Sequence, residues 1–341
     1  MAPVKNGQLI FNEIPETYPI PGKTTKYVEK DIDLDTVSLN GGFLVKVLAL
    51  SSDPYLRGRM RDPSEPSYMP AFKLGEPIEA HGVAKVLRSE NPKFKVGDHV
   101  VGVMPYEKYT ILKDESEFMV VDNTEKLSWT TFIGAAGMPG QTAYYGWKEH
   151  ADAKKGETCF VSAGAGAVGS LVVQFAKMDG LKVIASAGSD DKVAYLKEIG
   201  ADVAFNYKTT STEEVLKKEG PIQVYWDNVG GQTLQAAIDY ADIGARFVEC
   251  GMISGYNGEQ NPPKNMMMII GKSLRLSGFL VGHLHYKYKE EFYRTMPKLL
   301  ASGKVKFRED ITKGLENGGD ALLAVQKGTN VGKAIILVAD E

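Results

Sequence analysis

The sequence predicts an α/β protein, a doubly wound parallel sheet joined to a smaller β-rich domain. Two observations carry this reading. From Thr158 onward, short apolar runs alternate with stretches of helical period, as βαβ units require. Before about residue 125 the texture changes to short strand-like pieces cut by turns rich in Pro and Gly.

The first pattern is organised around TCFVSAGAGAVGS, residues 158–170. Cys159-Phe160-Val161 reads as a strand, and Gly164 to Gly169 form a G-x-G-x-x-G turn. Val168, Leu171, Val172 and Phe175 then share one helical face. Strand, turn and helix in this order turn backbone N–H groups and the positive end of a helix dipole toward a phosphate. Gly164 permits the tight turn, Gly166 leaves room for a pyrophosphate, and Gly169 lets helix and strand approach closely. The hexapeptide alone also fits a turn with no ligand; the residues after it argue for the dinucleotide. Lys182–Ser186, Val203–Phe205, Ile222–Trp226 and Arg246–Cys250 read as further buried strands, with helical patterns between them. Ser189 is placed to cap the helix over Val193, Leu196 and Ile199. The expectation is a Rossmann-type fold.

The end of the second strand speaks to the dinucleotide. An NAD site commonly carries Asp or Glu about 20 residues past the first glycine, accepting from the ribose 2′-OH. This chain has only Ser186-Ala187-Gly188-Ser189 there, followed by Lys192, with Tyr207 after the third strand. Hydroxyls and an ammonium suit a 2′-phosphate, which needs donors and opposite charge. An ordinary solvated helix lysine is the plainer account of Lys192, and Asp190 and Asp191 beside it weigh against phosphate unless the helix N-terminus holds them. The balance favours NADP(H).

Across all 341 residues, 40 basic side chains meet 43 acidic ones, with no basic stripe of the kind that binds nucleic acid. There is no run of 18 apolar residues, and the first residues lack the apolar core of a signal peptide. Only Cys159 and Cys250 occur, without a CxxC partner, which fits a reducing compartment. A cytoplasmic protein is expected, without membrane or nucleic-acid partners.

In the N-terminal part, strands are expected at Phe43–Leu50, Gly82–Leu87, Asp98–Met104 and Tyr109–Leu112, with a turn at Phe94 to Asp98. The expected division is 1–125 with 301–341 as the β-rich substrate domain, and 126–300 as the nucleotide domain. Leu274–Leu280 is the expected edge strand, Glu290–Ala301 an amphipathic helix, and Lys333–Val338 a last strand.

Five stretches, in order, carry a resemblance. They are Asp53 to Met60 (DPYLRGRM), Gly137 to Tyr144 (GMPGQTAY), Ala163 to Gly169, Asp227 to Gly231 (DNVGG) and Cys250 to Asn257 (CGMISGYN). Together with Asn330-Val331-Gly332-Lys333 they resemble the zinc-independent medium-chain dehydrogenase/reductase superfamily over nearly the full chain. Within it the chain is most similar to the alkenal double-bond reductases and the leukotriene B4 dehydrogenase/prostaglandin reductase group. The resemblance implies a GroES-like fold for the β-rich domain. Zinc relatives bring a catalytic cysteine, a Gly-His-Glu and a lobe of four cysteines. This chain has Asp53-Pro54-Tyr55 and Gly75-Glu76-Pro77-Ile78-Glu79 instead, and His81 and His99 stand alone among strand residues. No metal is expected.

Without a Lewis acid, hydride transfer to the β-carbon of an enal or enone is the less demanding reaction, because hydrogen-bond donors can hold the enolate. Tyr256, in the loop after the fifth strand, is the first candidate donor, and Tyr55 the second. Either is also satisfied by a packing role. The resemblance further implies that Gly166, Ala167, Val168 and Gly169 meet the pyrophosphate, and Ser189, Lys192 and Tyr207 the 2′-phosphate. By the same resemblance Asn228 touches the cofactor, and Thr142 and Met138 belong to its surroundings. Cys250, Gly251, Met252, Ile253, Ser254 and Tyr256, with Phe279, Leu280 and Val281, line the nicotinamide side, and Asn330 contacts it. Met60, Met138, Met266 to Met268 and Tyr286 are offered as apolar walls for substrate, although Asn265–Ile270 reads better as a buried helix face. His283 and His285 are read as loop residues. The leading expectation is an NADPH-dependent reductase of α,β-unsaturated aldehydes and ketones, acting as a homodimer. A quinone reductase, a metal-free alcohol dehydrogenase and a cofactor-binding protein without turnover remain as alternatives.

Overall fold

The computed structural model describes residues 3–113, 118–258 and 260–341. Strands form where β-branched and aromatic residues run together. In chain order these are β1 (Val4–Phe11), β2 (Thr25–Ile32), β3 (Phe43–Ser51), β4 (Glu79–Ser89), β5 (His99–Pro105), β6 (Tyr109–Leu112) and β7 (Phe118–Val120), with the short α1 (Leu56–Arg59) after β3. Helix α2 (Met138–Gly146) leads into the alternating series β8 (Thr158–Val161), α3 (Gly169–Met178), β9 (Lys182–Ala187), α4 (Asp190–Glu198), β10 (Val203–Asn206), α5 (Thr212–Glu219) and β11 (Ile222–Asp227). It continues as α6 (Gly231–Asp239), β12 (Ala241–Glu249), α7 (Met268–Gly271), β13 (Arg275–Gly278) and α8 (His285–Ala301). The chain ends with β14 (Glu309–Lys313), α9 (Gly318–Lys327) and β15 (Lys333–Leu337).

Two compact units result: residues 1–134 with 309–341, and residues 135–308. The divisions fall at Gly134/Ala135 and Arg308/Glu309 rather than near 125 and 300. Trp129 and Ile133 pack with Leu48, Val83 and Ile335 of the first unit. Gln174 holds residues 304–308 in the second, donating to Lys306 O (2.8 Å) and accepting its N–H (2.8 Å).

Among the described residues, the second unit holds a six-stranded sheet in the order β10-β9-β8-β11-β12-β13, with every pair parallel. Numbered along the chain, this is the 3-2-1-4-5-6 order of a Rossmann fold, whose order reverses between β8 and β11. Buried strands with few polar interruptions (TCFV, IQVYWD) suit a sheet covered on both faces. Phe160 stacks on Tyr225 (ring centroids 5.1 Å) within a core that includes Ile184, Leu216, Ile238 and Phe247.

In the first unit, the β14-β15-β3-β4-β5-β7 sheet has β6 paired to β3, and β1 and β2 form a separate hairpin pair. Its core gathers Phe11, Phe43, Val45, Leu56, Tyr106 and Ile336. Both expected fold classes are present.

Several elements depart from the sequence expectation. β1, β2, β7 and β14 are additional to it; β2 (TKYVEKDI) and β14 (EDITK) are heavily charged and lack the apolar run that marks a strand. β12 starts five residues before Arg246, where Ile243 is 78 % exposed and Gly244 adopts φ +74°. The run from His285 to Tyr288 is helix, not loop. Tyr288, Phe292, Met296 and Leu300 repeat every four residues and bury one face of α8 from its first turn.

Candidate active site

The turn after β8 is shaped by volume. A Cβ on Gly169 would lie 2.5 Å from Ala163 O and 2.8 Å from Gly164 Cα, both backbone atoms. One on Gly164 would press on Ala185 Cβ (3.0 Å) and Leu196 Cδ2 (3.1 Å). Gly169 is required by the close approach of helix to turn, and at Gly164 a side chain would push Ala185 and Leu196 outward. Gly166 differs: its Cβ would meet only Ala163 O, at 3.3 Å. Gly166, Ala167 and Val168 are half-buried, and the N–H groups of Ala167 and Val168 find no acceptor among the described residues. An open cradle with donors at a helix N-terminus fits a pyrophosphate.

At the end of β9 stands Ala187, so no carboxylate closes the strand. Ser189 occupies the N-cap of α4, but its hydroxyl makes no capping bond; the anticipated cap is positional only. Tyr207 is half-exposed, and its hydroxyl oxygen lies 3.0 Å from where a Gly188 Cβ would stand. Lys192 belongs to the first turn of the same helix. Asp190, the nearby acid, accepts from Asn206 Nδ2 at 2.9 Å. Ser189, Lys192 and Tyr207 are thus brought to one corner, and the residue types suit a phosphate.

The ends of β11 and β12 are held by polar side chains. Asn228 donates to Ser162 O (2.6 Å) and accepts from Trp226 Nε1 (3.1 Å), tying β8 to β11 where the strand order reverses. Asp227 is fully buried, and its Oδ1 accepts from Tyr225 Oη (2.8 Å), Ser162 Oγ (3.1 Å) and the N–H groups of Val229 and Gly230 (2.8 Å each). The loop from Cys250 to Tyr256 hangs from this turn. Cys250 and Gly251 donate to Asp227 O, Ile253 to Asn228 O and Ser254 to Val229 O. Tyr256 follows the 3₁₀ turn Ile253–Gly255, and its phenol oxygen accepts the Met252 N–H at 3.2 Å. Burial, then the nearby Asp227 and Glu249, push the Cys250 thiol up to about 12, so it is an inert thiol at neutral pH. Ser162, Asp227 and Glu249 were missed as structural determinants; their signal was an acid or hydroxyl closing an otherwise apolar strand.

Phe279 packs edge-on to Trp226 (5.9 Å) and against Gly146, while Leu280 and Val281 follow β13 partly exposed. In α2, Thr142 Oγ1 donates to Met138 O (2.8 Å) and touches Met138 Sδ (3.4 Å). In the first unit, Tyr55 packs against the β-rich core, and burial, then Asp53, raise its phenol pKa. Asn330 donates to Gly332 O at 2.8 Å.

Two expectations about apolar residues, one for a substrate wall and one for a buried helix face, fail. Met60 is buried in the first unit's core. The Met266–Ile270 run is not a buried helix face, since Met267 is 76 % and Ile270 74 % exposed and α7 spans only four residues. Among the described residues, no group of three His, Cys, Asp or Glu side chains is placed to hold a metal ion. His99 instead stacks on Trp129 (3.7 Å) and meets Glu341 at 3.1 Å.

Comparison with known proteins accords with this geometry. Residues 167–301 match a family model described as zinc-binding dehydrogenase, and residues 8–121 one described as the N-terminal domain of oxidoreductase. A 2-alkenal reductase (NADP(+)-dependent) of Nicotiana tabacum is 41 % identical over 99 % of each chain. The (+)-pulegone reductase of Mentha piperita is 41 % identical over 89 % of each. The crystal structure of CurA in complex with NADPH from Vibrio vulnificus superposes with a TM-score of 0.90 at 30 % identity, covering 98 % of this chain and 100 % of that one. With relatives this similar over nearly their whole length, and with a strand order and glycine turn that agree, the chain belongs to the zinc-independent medium-chain dehydrogenase/reductase superfamily.

Proposed function

We propose that this protein reduces the carbon–carbon double bond of α,β-unsaturated aldehydes or ketones with NADPH. The carrying observation is an open glycine cradle beside a second-strand end that presents Ser189, Lys192 and Tyr207 where a 2′-OH site would place a carboxylate. Relatives named for alkenal, pulegone and prostaglandin reduction support the reaction class. The chain is an oxidoreductase that uses NADP(H).

When bound, NADPH supplies the hydride that reaches the β-carbon. The residues then have distinct tasks. The turn from Gly166 to Gly169 meets the pyrophosphate, with the N–H groups of Ala167 and Val168 as its donors, and Ser189, Lys192 and Tyr207 hold the 2′-phosphate. Asn228 and the Cys250–Tyr256 loop shape the nicotinamide side, with Phe279 to Val281 along it. Thr142 and Met138 flank the cofactor, and Asn330 also contacts it. As the alkene accepts hydride, negative charge moves to the conjugated oxygen. The Tyr256 O–H donates to that oxygen and holds the enolate until the α-carbon is protonated. The Met252 N–H donates to the phenol oxygen and so orients the hydroxyl. Tyr55 is the second candidate for this task.

Incubating the protein with NADPH and a series of 2-alkenals, then identifying the product by mass, tests the reading. A saturated carbonyl is expected; an allylic alcohol, or NADPH consumed only by quinones, overturns it. We also propose a cytoplasmic homodimer. No helix among the described residues is long and apolar enough to cross a membrane. β13 lies at the edge of its sheet, and an open edge pairs readily with its copy. A monomer mass by sedimentation would rule out the dimer.

A further inference from the structure

Three shielded oxygens at the carboxyl ends of β11 and β12 accept no hydrogen bond: Asp227 Oδ2 and both carboxyl oxygens of Glu249. The two residues are register partners in adjacent parallel strands, so their side chains leave the same face of the sheet. The register there is not the one with which β11 begins. Continued unbroken from the Ile222–Ala241 pair, it would set Asp227 opposite Arg246. A shift between Ile222 and Val224 instead pairs Arg246 with Val224, and the guanidinium turns to Glu157 (2.9 Å) and Ala151 O (3.0 Å). Asp227 is left facing an acid.

Two ionised carboxylates cannot share a dry site without a cation, because each loses its hydration and repels the other. Among the described residues, the groups set against this pair are Tyr225 and Ser162, the Cys250 thiol, the amides of Val229 and Gly230, and Gly278 alongside Glu249 in β13. None of these is a cation. Four of these donors converge on Asp227 Oδ1, which marks Asp227 as the ionised partner. A proton between the two carboxyls would satisfy oxygens that otherwise have none.

We propose that Glu249 is a protonated acid donating to Asp227 Oδ2, and that this shared proton makes Glu249 a positioning residue for the loop bearing Tyr256. The connection is direct. Asp227 Oδ1 shapes the Val229–Gly230 turn, and the backbone oxygens of Asp227, Asn228 and Val229 accept four N–H groups of the 250–254 segment at 3.0–3.2 Å. The positioning role rests on reading that loop as the nicotinamide side; the shared proton does not.

Burial, with the charge of Asp227 second, pushes Glu249 up to about 8. An acid raised in the folded state stabilises fully below its ordinary range, and that contribution is lost as pH rises through about 8.

Glu249→Gln supplies an amide donor toward Asp227 that does not titrate, and three measurements compare it with the native protein. At neutral pH, infrared difference spectra should show a protonated-carboxyl carbonyl band in the native protein that Glu249→Gln lacks. The native melting temperature should fall more steeply from about pH 5 to about pH 8 than that of the variant. NADPH affinity should weaken about tenfold from about pH 7 to about pH 9 in the native protein and less than about twofold in the variant. If no band is lost, or the two melting profiles superpose, the shared proton is overturned. Equal pH dependence of NADPH affinity overturns the positioning role. Failure of both proteins to bind NADPH at any pH removes the cofactor reading and with it that role, while the infrared and melting measurements still decide the proton.

Discussion

Both candidate tyrosines come after a buried carboxylate, and the two carboxylates are neutralised in different ways. In the first unit, Asp53 Oδ1 meets the Lys333 ammonium at 3.0 Å, and Lys333 also donates to Ser52 O (2.8 Å) and Ala334 O (2.9 Å). Ser51 Oγ donates to the other Asp53 oxygen, and Tyr106 Oη to Ser51 O at 2.7 Å. In the second unit Asp227 meets Glu249, and a proton stands where the first unit has an ammonium. Burial lowers the Lys333 pKa, while Asp53 opposes it. Three acceptors hold the ammonium in place, whereas the shared proton leaves as pH rises through about 8. The base of the Tyr256 loop therefore changes over that range.

The largest expected effect breaks the first arrangement. Lys333→Met leaves Asp53 buried and uncompensated, which should cost about 3–5 kcal/mol in urea unfolding. Asp53→Leu added to it should recover most of that loss; no recovery would mean that Lys333 stabilises through packing rather than charge. Next in size is the contrast between the tyrosines. Tyr256→Phe should lower kcat for a 2-alkenal about hundredfold, roughly 2.7 kcal/mol of barrier. Tyr55→Phe should lower it less than about threefold, and a reversal of that order would move the donor to the first unit. The smallest expected change concerns the nucleotide corner, where side chains are less buried. Lys192→Ala should weaken NADPH binding about tenfold while leaving NADH binding unchanged, read by titration of nicotinamide fluorescence. Equal losses for both nucleotides would show that Lys192 does not read the 2′-phosphate.

How far each region was legible depends on the range of the forces that shape it. The glycine turn could be read directly, because Gly169 is required by backbone atoms five and six residues before it, and Gly164 lies tight against the next strand. Strands β8 to β11 were legible for the same reason, since burial on both faces writes a nearly apolar run into the chain. β2 and β14 were not, because their charged runs lack the apolar pattern of a strand and take that form on pairing with β1 and β15. The Met266–Ile270 run misled, since apolar composition does not say which side of a helical turn is covered.

Local spacing was enough to determine the fold class and the dinucleotide turn. Both depend on short-range sterics and on periodicity, which the order of residues encodes directly; the family rested on resemblance of whole motifs. Only the tertiary structure decided that Asp227 faces Glu249 rather than Arg246. A register shift early in β11, beside Gly244 at φ +74°, moves one strand past its neighbour, and no residue names its cross-strand partner in advance.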